Sequence, residues 1–402
     1  MRLPTTCLTA MLLAFRAAEA AGPSDVVVSE AADQTPGAKR VAANSAPAGL
    51  VPLPAQPADI PWPTKDWPVA SLPTGVSRTA LQELLSVTDA PRPLLGQTRA
   101  VVIVSHGQLV VERYMPGFGP ATPLISWSMA KSITQALVGI AVRDGLVNID
   151  KPMGNPRWLP DDARAAVTWR QWMNMVDGQD YREIGETSPV KNDAARMLFG
   201  AGRLDVAAFA ASLPLVHPPG TYWNYNSAGV NLISDALGHL YAPGATPPQR
   251  RQRLAAFMSR ELFQPLGMTS VQTEFDAAGT FLGSALVYAT ARDYARFGLL
   301  YLRDGQWEGR QLLPRGWVDF ARTRTTAKNG DGYGAGWWVA STRKTGNGPG
   351  QSRDTFRAQG HEGQLIVVVP SKDLIVVRLG LLEGLEGWPA LGDWTERLVA
   401  LF

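Results

Sequence analysis

Hydrophobic and polar positions change rhythm twice along this chain. Ala100–Val104 (AVVIV) and Gln108–Glu112 (QLVVE) are short apolar runs on either side of His106-Gly107. Such runs, rich in β-branched residues and parted by a glycine turn, predict a hairpin. From about 128 to 300 the period lengthens to that of helices, over 128–143, 229–240, 251–261 and 290–303. In the first of these, Ile133, Leu137, Ile140 and Ala141 share one stripe and Gly145 ends it. Strand patterns then return at 336–340 (GWWVA), 365–369 (LIVVV) and 374–378 (LIVVR), the last two joined by a turn at 370–373. Helices are expected at 78–86 and 390–401. Strands at both ends with helices between predict an α+β fold of the α/β sandwich kind. One antiparallel sheet is built from both chain ends, a mainly helical lobe stands beside it, and a cleft lies between them.

The segments before the hairpin read differently. Residues 1–20 have the form of a secretory signal: Arg2, an apolar core from Cys7 to Phe15, and Ala18-Glu19-Ala20 as a cleavage site. The expected location is therefore periplasmic or secreted. Residues 21–60, rich in Ala, Pro, Gly and Ser, read as a tail or linker, leaving 61–402 as one domain. The single cysteine, Cys7, lies inside the signal, so no disulfide, thiol nucleophile or cysteine metal cluster is expected after cleavage.

Net charge is +3, and the densest basic cluster is Arg250-Arg251-Gln252-Arg253, too short for a nucleic-acid patch. No stretch after the signal is long and apolar enough to span a bilayer, so no stable membrane insertion is expected. Four scattered histidines and no H-E-x-x-H argue against zinc, because Leu365 stands where His361-Glu362 would need its second histidine. No G-x-S-x-G elbow is present for an α/β-type serine hydrolase.

Candidate chemistry enters with Ser128-Met129-Ala130-Lys131. A serine and a lysine three apart on a helix lie on the same face, an amine beside a hydroxyl, and the helix N-terminus favours developing negative charge. Two other pairs share the spacing, Ser188/Lys191 and Ser341/Lys344, but only Lys131 leads into helical periodicity. The plain alternative is an N-capped helix with a surface lysine. Two more segments fit: Pro219-Gly220-Thr221-Tyr222-Trp223-Asn224-Tyr225-Asn226-Ser227, and Gln359-Gly360-His361-Glu362-Gly363-Gln364 at the mouth of the strongest strand.

On these three motifs, in this order, the chain resembles the serine β-lactamase-like and penicillin-binding-protein-like hydrolases over about residues 75 to 395. It looks like the class C type branch, nearest the family VIII carboxylesterases and 6-aminohexanoate-dimer hydrolases. The resemblance implies a β-lactamase/transpeptidase-like fold and an acyl-enzyme on Ser128. Lys131 would take the serine proton, Tyr225 would bridge the two, and the N–H groups of Ser128 and Gln364 would form the oxyanion hole. It also implies a substrate contact at His361, where many relatives carry the lysine of K-T-G. Gly363, Ser227, Tyr181 and Trp127 are the further candidates for substrate contact, with no cofactor and no metal. Trp223, Trp337 and Trp338 either line the cleft or fill the core.

Two departures shape the expected substrate. Serine stands at 227 where the family usually has the asparagine of Tyr-x-Asn, and His361-Glu362-Gly363 replaces K-T-G. A literal Lys344-Thr345-Gly346 runs into a glycine-rich stretch and is read as a loop. Small esters are therefore expected first, then linear amides of the 6-aminohexanoate-oligomer type, as the small-molecule partner. A β-lactamase or D-Ala-D-Ala peptidase remains the rival within the fold, and a non-catalytic acylated sensor the rival of another class.

Overall fold

A computed structural model describes residues 49–88, 95–340, 353–382, 384 and 386–402. The expected signal, most of the expected linker, and the Lys344-Thr345-Gly346 loop lie outside the described residues. Residues 49–60 of the linker lie against the body, where the buried Arg303 donates to Gln56 Oε1 at 2.9 Å.

Six strands make one antiparallel sheet. They are β1 (Gln97–Ser105), β2 (Gln108–Tyr114), β3 (Trp338–Val339), β4 (Phe356–Gly360), β5 (Gln364–Val369) and β6 (Leu374–Leu381), in the order β2-β1-β6-β5-β4-β3. The N-terminal hairpin thus pairs with the C-terminal one, β1 against β6, from Gln97↔Leu381 to Ser105↔Leu374. The main helices are α1 (Arg78–Ser86), α2 (Ala130–Arg143), α3 (Ser227–Tyr241), α4 (Pro247–Met258), α5 (Ala291–Leu302) and α6 (Gly387–Leu401).

Continuous apolar runs in β1, β5 and β6, rather than alternating ones, follow from burial on both faces. Val101, Ile103, Leu365, Val367 and Val376 point to Leu81, Leu84, Leu391, Trp394 and Leu398 of α1 and α6. Val102, Val104, Ile366, Val368, Ile375 and Val377 point the other way, into the large core shared with α2 and α5. Gly298 lets α5 lie close on that face; a Cβ there would meet Ile366 Cγ2 at 2.9 Å.

The sequence misses β4, and the expected strand 336–340 shrinks to two residues. Phe356-Arg357-Ala358-Gln359-Gly360 alternates buried and half-buried positions, but too briefly to stand out. The largest difference is in α2. Its stripe predicts one buried face, yet every residue from Ala130 to Val142 is buried. Most of the polar groups there are tolerated because they find a partner, the Gln135 amide nitrogen being the exception. Ser132 Oγ donates to Gly336 O (2.7 Å), Thr134 Oγ1 to Gly283 O (2.9 Å), and Gln135 accepts from the Tyr301 hydroxyl. A helix enclosed this way holds its first turn rigidly, and Ser128 lies just ahead of it.

Candidate active site

The segment entering α2 is fixed before the serine is reached. Ser126 is buried; its hydroxyl donates to Ala285 O at 3.1 Å and accepts from the Val287 N–H at 3.2 Å. Trp127 then takes a left-handed backbone, φ 43°. For a non-glycine residue this costs on the order of 1–3 kcal/mol and persists only where surroundings enforce it. Here Trp127 Nε1–H donates to Glu362 Oε2 at 2.9 Å, and its ring meets the His361 ring edge-on at 5.5 Å. Glu362 is left-handed too, φ 59°. Trp127–Met129 then forms a single 3-10 turn, and the α-helix proper begins at Ala130 without a side-chain cap. Ser128 therefore occupies a turn ahead of the helix, one step earlier than the pattern predicts, and is half-buried.

Lys131 is 2% exposed, which excludes the surface-lysine alternative. Its Nζ lies 2.8 Å from Ser128 Oγ and 2.7 Å from Ser284 O. The Ser284 N–H in turn donates to Asn231 Oδ1 of α3 at 3.2 Å, so the acceptor is itself held. Burial pulls the Lys131 ammonium down to about 8, against the opposing pull of the Glu183 carboxylate. A protonated Nζ donates to Ser128 Oγ; a neutral one accepts its proton across the same gap.

Tyr225 is placed by the N-terminus of α3. Asn226 Oδ1 accepts from the Gly229 N–H at 3.0 Å, a helix N-cap, while its Nδ2 donates to Asp177 Oδ1 (2.9 Å) and Gln179 Oε1 (3.0 Å). The cap thus locks the 177–179 loop to the helix and turns Tyr225 inward, where Lys131 Nζ sits 4.8 Å from its ring centroid. Burial pushes the Tyr225 phenol well above its usual value, and Tyr333 and Glu183 add to this; the hydrogen bond with Ser128 pulls the other way. Tyr225 is therefore a neutral phenol across ordinary pH. Its ring packs against Trp338 (5.5 Å), Tyr333 (6.1 Å) and Trp223 (6.4 Å).

Ser227 is buried and its Oγ donates to Glu183 Oε2 at 2.6 Å. Tyr181, 3% exposed, has its phenol pushed well above the usual value by burial, with Glu183 adding and Ser227 opposing. The structure brings Ser128, Lys131, Tyr225, Ser227, Tyr181 and Trp127 to one place.

The β4–β5 turn closes the site. Gly360 fits against the serine turn so closely that a Cβ would stand 2.2 Å from Ser126 O and 3.1 Å from Trp127 Cβ. His361 faces Trp127. Gly363, expected to touch substrate, and Gln364, expected to offer only its backbone N–H, both pack into the turn. Gly363, φ 80°, packs toward α6, where a Cβ would meet Arg378 Nη1 at 2.6 Å and Leu391 Cδ2 at 2.9 Å. The Gln364 side chain turns toward β6, its Nε2 donating to Gly380 O at 2.6 Å. Both serve the turn, with the buried Arg378, whose Nη1 donates to the carbonyls of Glu362 (3.1 Å) and Gly363 (3.0 Å). Trp337 is a core residue, fully buried and 4.4 Å from the Tyr301 ring. Trp223 and Trp338 stand half-buried beside Tyr225.

Four contributors went unnoticed in the sequence: Glu183, Glu362, Ser284 and Tyr333. Glu362 sits inside a motif and was open to suspicion on that ground. The other three lie on loops whose spacing carries no signal. Among the described residues no group of three or more His, Cys, Asp or Glu could hold a metal ion, and no helix is long and apolar enough to cross a membrane.

Comparison with known families agrees with this fold. The beta-lactamase family model matches residues 95–385, well over half of the chain. The chain belongs to the beta-lactamase family. Within this family it is 22% identical over 303 residues to the 6-aminohexanoate-dimer hydrolase of Paenarthrobacter ureafaciens, covering 73% of each protein. In structure it resembles a candidate 6-aminohexanoate-dimer hydrolase from Bacillus anthracis, with TM-score 0.66 and 22% identity over 87% of this chain and 89% of that one. It also resembles a penicillin-binding protein from Bacillus halodurans, with TM-score 0.58 and 17% identity over 80% of this chain and all of the other. This beta-lactamase-fold hydrolase keeps the mixed helix and antiparallel-sheet architecture expected of its family.

One structural prediction arises at the turn. Gly360→Ala has ordinary backbone angles available, φ −121°, so only the missing space opposes it. The substitution should move β4 off the serine turn and destabilise the protein by about 1–3 kcal/mol. Denaturant melts should show that loss together with a lower kcat; a variant as stable and active as the parent would mean the turn yields freely.

Proposed function

We propose that this protein is a serine hydrolase that works through an acyl-enzyme on Ser128, taking small carboxylic esters and, next, linear amides of the 6-aminohexanoate-oligomer type. The observation that carries the reading is the buried Lys131 amine, 2.8 Å from Ser128 Oγ and lowered to about 8. In this scheme neutral Lys131 takes the Ser128 proton as Oγ attacks the carbonyl carbon. Tyr225, a neutral phenol between them, passes a proton to the leaving oxygen or nitrogen. Water then attacks the acyl carbon, its proton going to the same relay, and Ser128 is released. The N–H groups of Ser128 and Gln364 would take the charge that develops on the carbonyl oxygen. Serine at 227 and His361 in place of a K-T-G lysine favour esters and linear amides over β-lactams.

The test is intact-mass spectrometry during turnover of a short p-nitrophenyl ester, with nitrocefin and a linear aminohexanoate dimer run in parallel. The expected result is many turnovers of the ester and a transient adduct that maps to Ser128. A permanent adduct without turnover would replace the enzyme by an acylated sensor. Nitrocefin as the fastest substrate would make it a β-lactamase, and no adduct with any of the three would end the acyl-enzyme reading.

A further inference from the structure

One buried loop grips Tyr225 through both of its chain neighbours. The asparagine that the Tyr-x-Asn pattern places at 227 stands at 226 here, and it is 1% exposed. Its Nδ2 donates to Asp177 Oδ1 and Gln179 Oε1 while its Oδ1 caps α3, so the amide can face only one way. On the other side of Tyr225, the Asn224 N–H donates to Met175 O at 3.0 Å. Met175 itself, left-handed at φ 58°, shares a packed cluster with Tyr225, Val230 and Tyr333.

The loop is pinned in turn. Gln179 Nε2 donates to Ala210 O at 2.8 Å, which leaves its Oε1 for Asn226. Gly178 O accepts from the N–H groups of Val216 (2.8 Å) and His217 (3.2 Å), and a Cβ on Gly178 would stand 2.1 Å from His217 O. Asp177 Oδ1 accepts from the Gln179 N–H at 3.0 Å as well as from Asn226. Asp177 is 2% exposed. Burial raises its carboxyl to about 6, opposed by the bonds from the Gln179 N–H and Asn226, so it is mostly ionised at neutral pH.

We propose that Asp177 and Gln179 form a buried clamp on Asn226 that aims the Tyr225 hydroxyl, and thereby decides how well this protein cleaves substrates with poor leaving groups. All three are positioning residues, acting through Tyr225. This rests on the reading of Tyr225 as the group that passes a proton to the leaving atom. A buried carboxylate is a costly way to fill space, and an apolar side chain would fill it more cheaply; what the carboxylate supplies is direction. The direction matters at one step. When the carbonyl C–O bond breaks, its electron pair goes to the leaving oxygen, Tyr225 gives that oxygen its proton, and the Lys131 ammonium returns one to Tyr225. An alkoxide or amide nitrogen cannot leave without that proton. A p-nitrophenolate leaves without it.

Two esters of one acid, ethyl butyrate and p-nitrophenyl butyrate, give the same acyl-enzyme and differ only in the leaving group. Tyr225→Phe should lower kcat/KM for the ethyl ester by about 10³-fold, the usual weight of a positioned proton donor, and far less for the p-nitrophenyl ester. Asn226→Ser keeps a hydroxyl to cap α3 but loses the clamp, and Asp177→Ala removes its acceptor. Each should lower the ethyl ester by about 10²-fold, the usual cost of misplacing a reacting group by an ångström, and leave the p-nitrophenyl ester nearly unchanged. Asp177→Asn retains Oδ1 as acceptor and should stay close to wild type on both. Added to Tyr225→Phe, Asn226→Ser should cost nothing more on the ethyl ester. Should Asp177→Ala fail to fold, Asn226→Ser carries the comparison. Equal losses on the two esters, no loss on either, or a loss that adds fully to that of Tyr225→Phe overturns the clamp. A Tyr225→Phe variant that loses both esters alike instead removes Tyr225 as proton donor, and the clamp with it.

Discussion

Ser128→Ala is expected to reduce ester hydrolysis by a factor on the order of 10⁵ or more, to the level of background. Among the described residues the serine is the one hydroxyl hydrogen-bonded to Lys131 Nζ, and a methyl can neither attack a carbonyl nor hold an acyl group. The fold should survive. Ser128 is half-buried in a turn pinned by Ser126 and Trp127, and its removal costs one hydrogen bond, about 1 kcal/mol. Rate measurement, intact mass and a thermal melt on the same preparation check all three points. Near-parental turnover would remove Ser128 from the mechanism, whatever the family.

Lys131→Met is the second large effect. Methionine matches the unbranched shape of lysine without the amine, so the cavity stays filled while the base is lost. Turnover should fall by about 10³-fold, within the usual range for losing a positioned proton acceptor. Stability should hold or rise, because a buried ammonium is costly, although Ser284 O loses its donor. The pH profile separates this from simple damage. In the proposed mechanism the active form is the neutral amine, so wild-type kcat/KM should climb with pH and level off above about 8. At pH 7 about one lysine in ten is neutral. In Lys131→Met that limb should disappear from whatever activity remains. A wild-type profile flat from pH 6 to 9 would mean that the proton goes elsewhere.

How far the site could be read from the chain differs from residue to residue. Ser128 and Lys131 stood out because their spacing is local: three residues span one helical turn, and an apolar run followed. Tyr225 was legible only as part of a longer motif. Alone it is one of nine tyrosines, and a buried phenol fits a core as well as a catalytic site. Gly363 shows the limit in the other direction. It stands in a motif beside His361, yet the space a Cβ would take there is filled by Arg378 and Leu391. Trp337 and Trp338 make the same point: adjacent residues at the start of one short strand, one in the core and one against Tyr225.

The sequence by itself determined the sheet drawn from both chain ends, the helices between, and the pairing of the Ser128 hydroxyl with the Lys131 amine, since each rests on short-range periodicity or spacing. Tertiary structure decided everything that depends on charge and burial. Lys131 is a weakened base because α2 is enclosed on all sides, which its single apolar stripe does not reveal. Trp127 and Glu362 hold their left-handed backbones through a bond spanning 235 residues. Glu183 sits beside Ser227, 44 residues away in the chain. Contacts across such distances leave no pattern in one sequence, because nothing in the local backbone requires them; they exist only once the chain has folded.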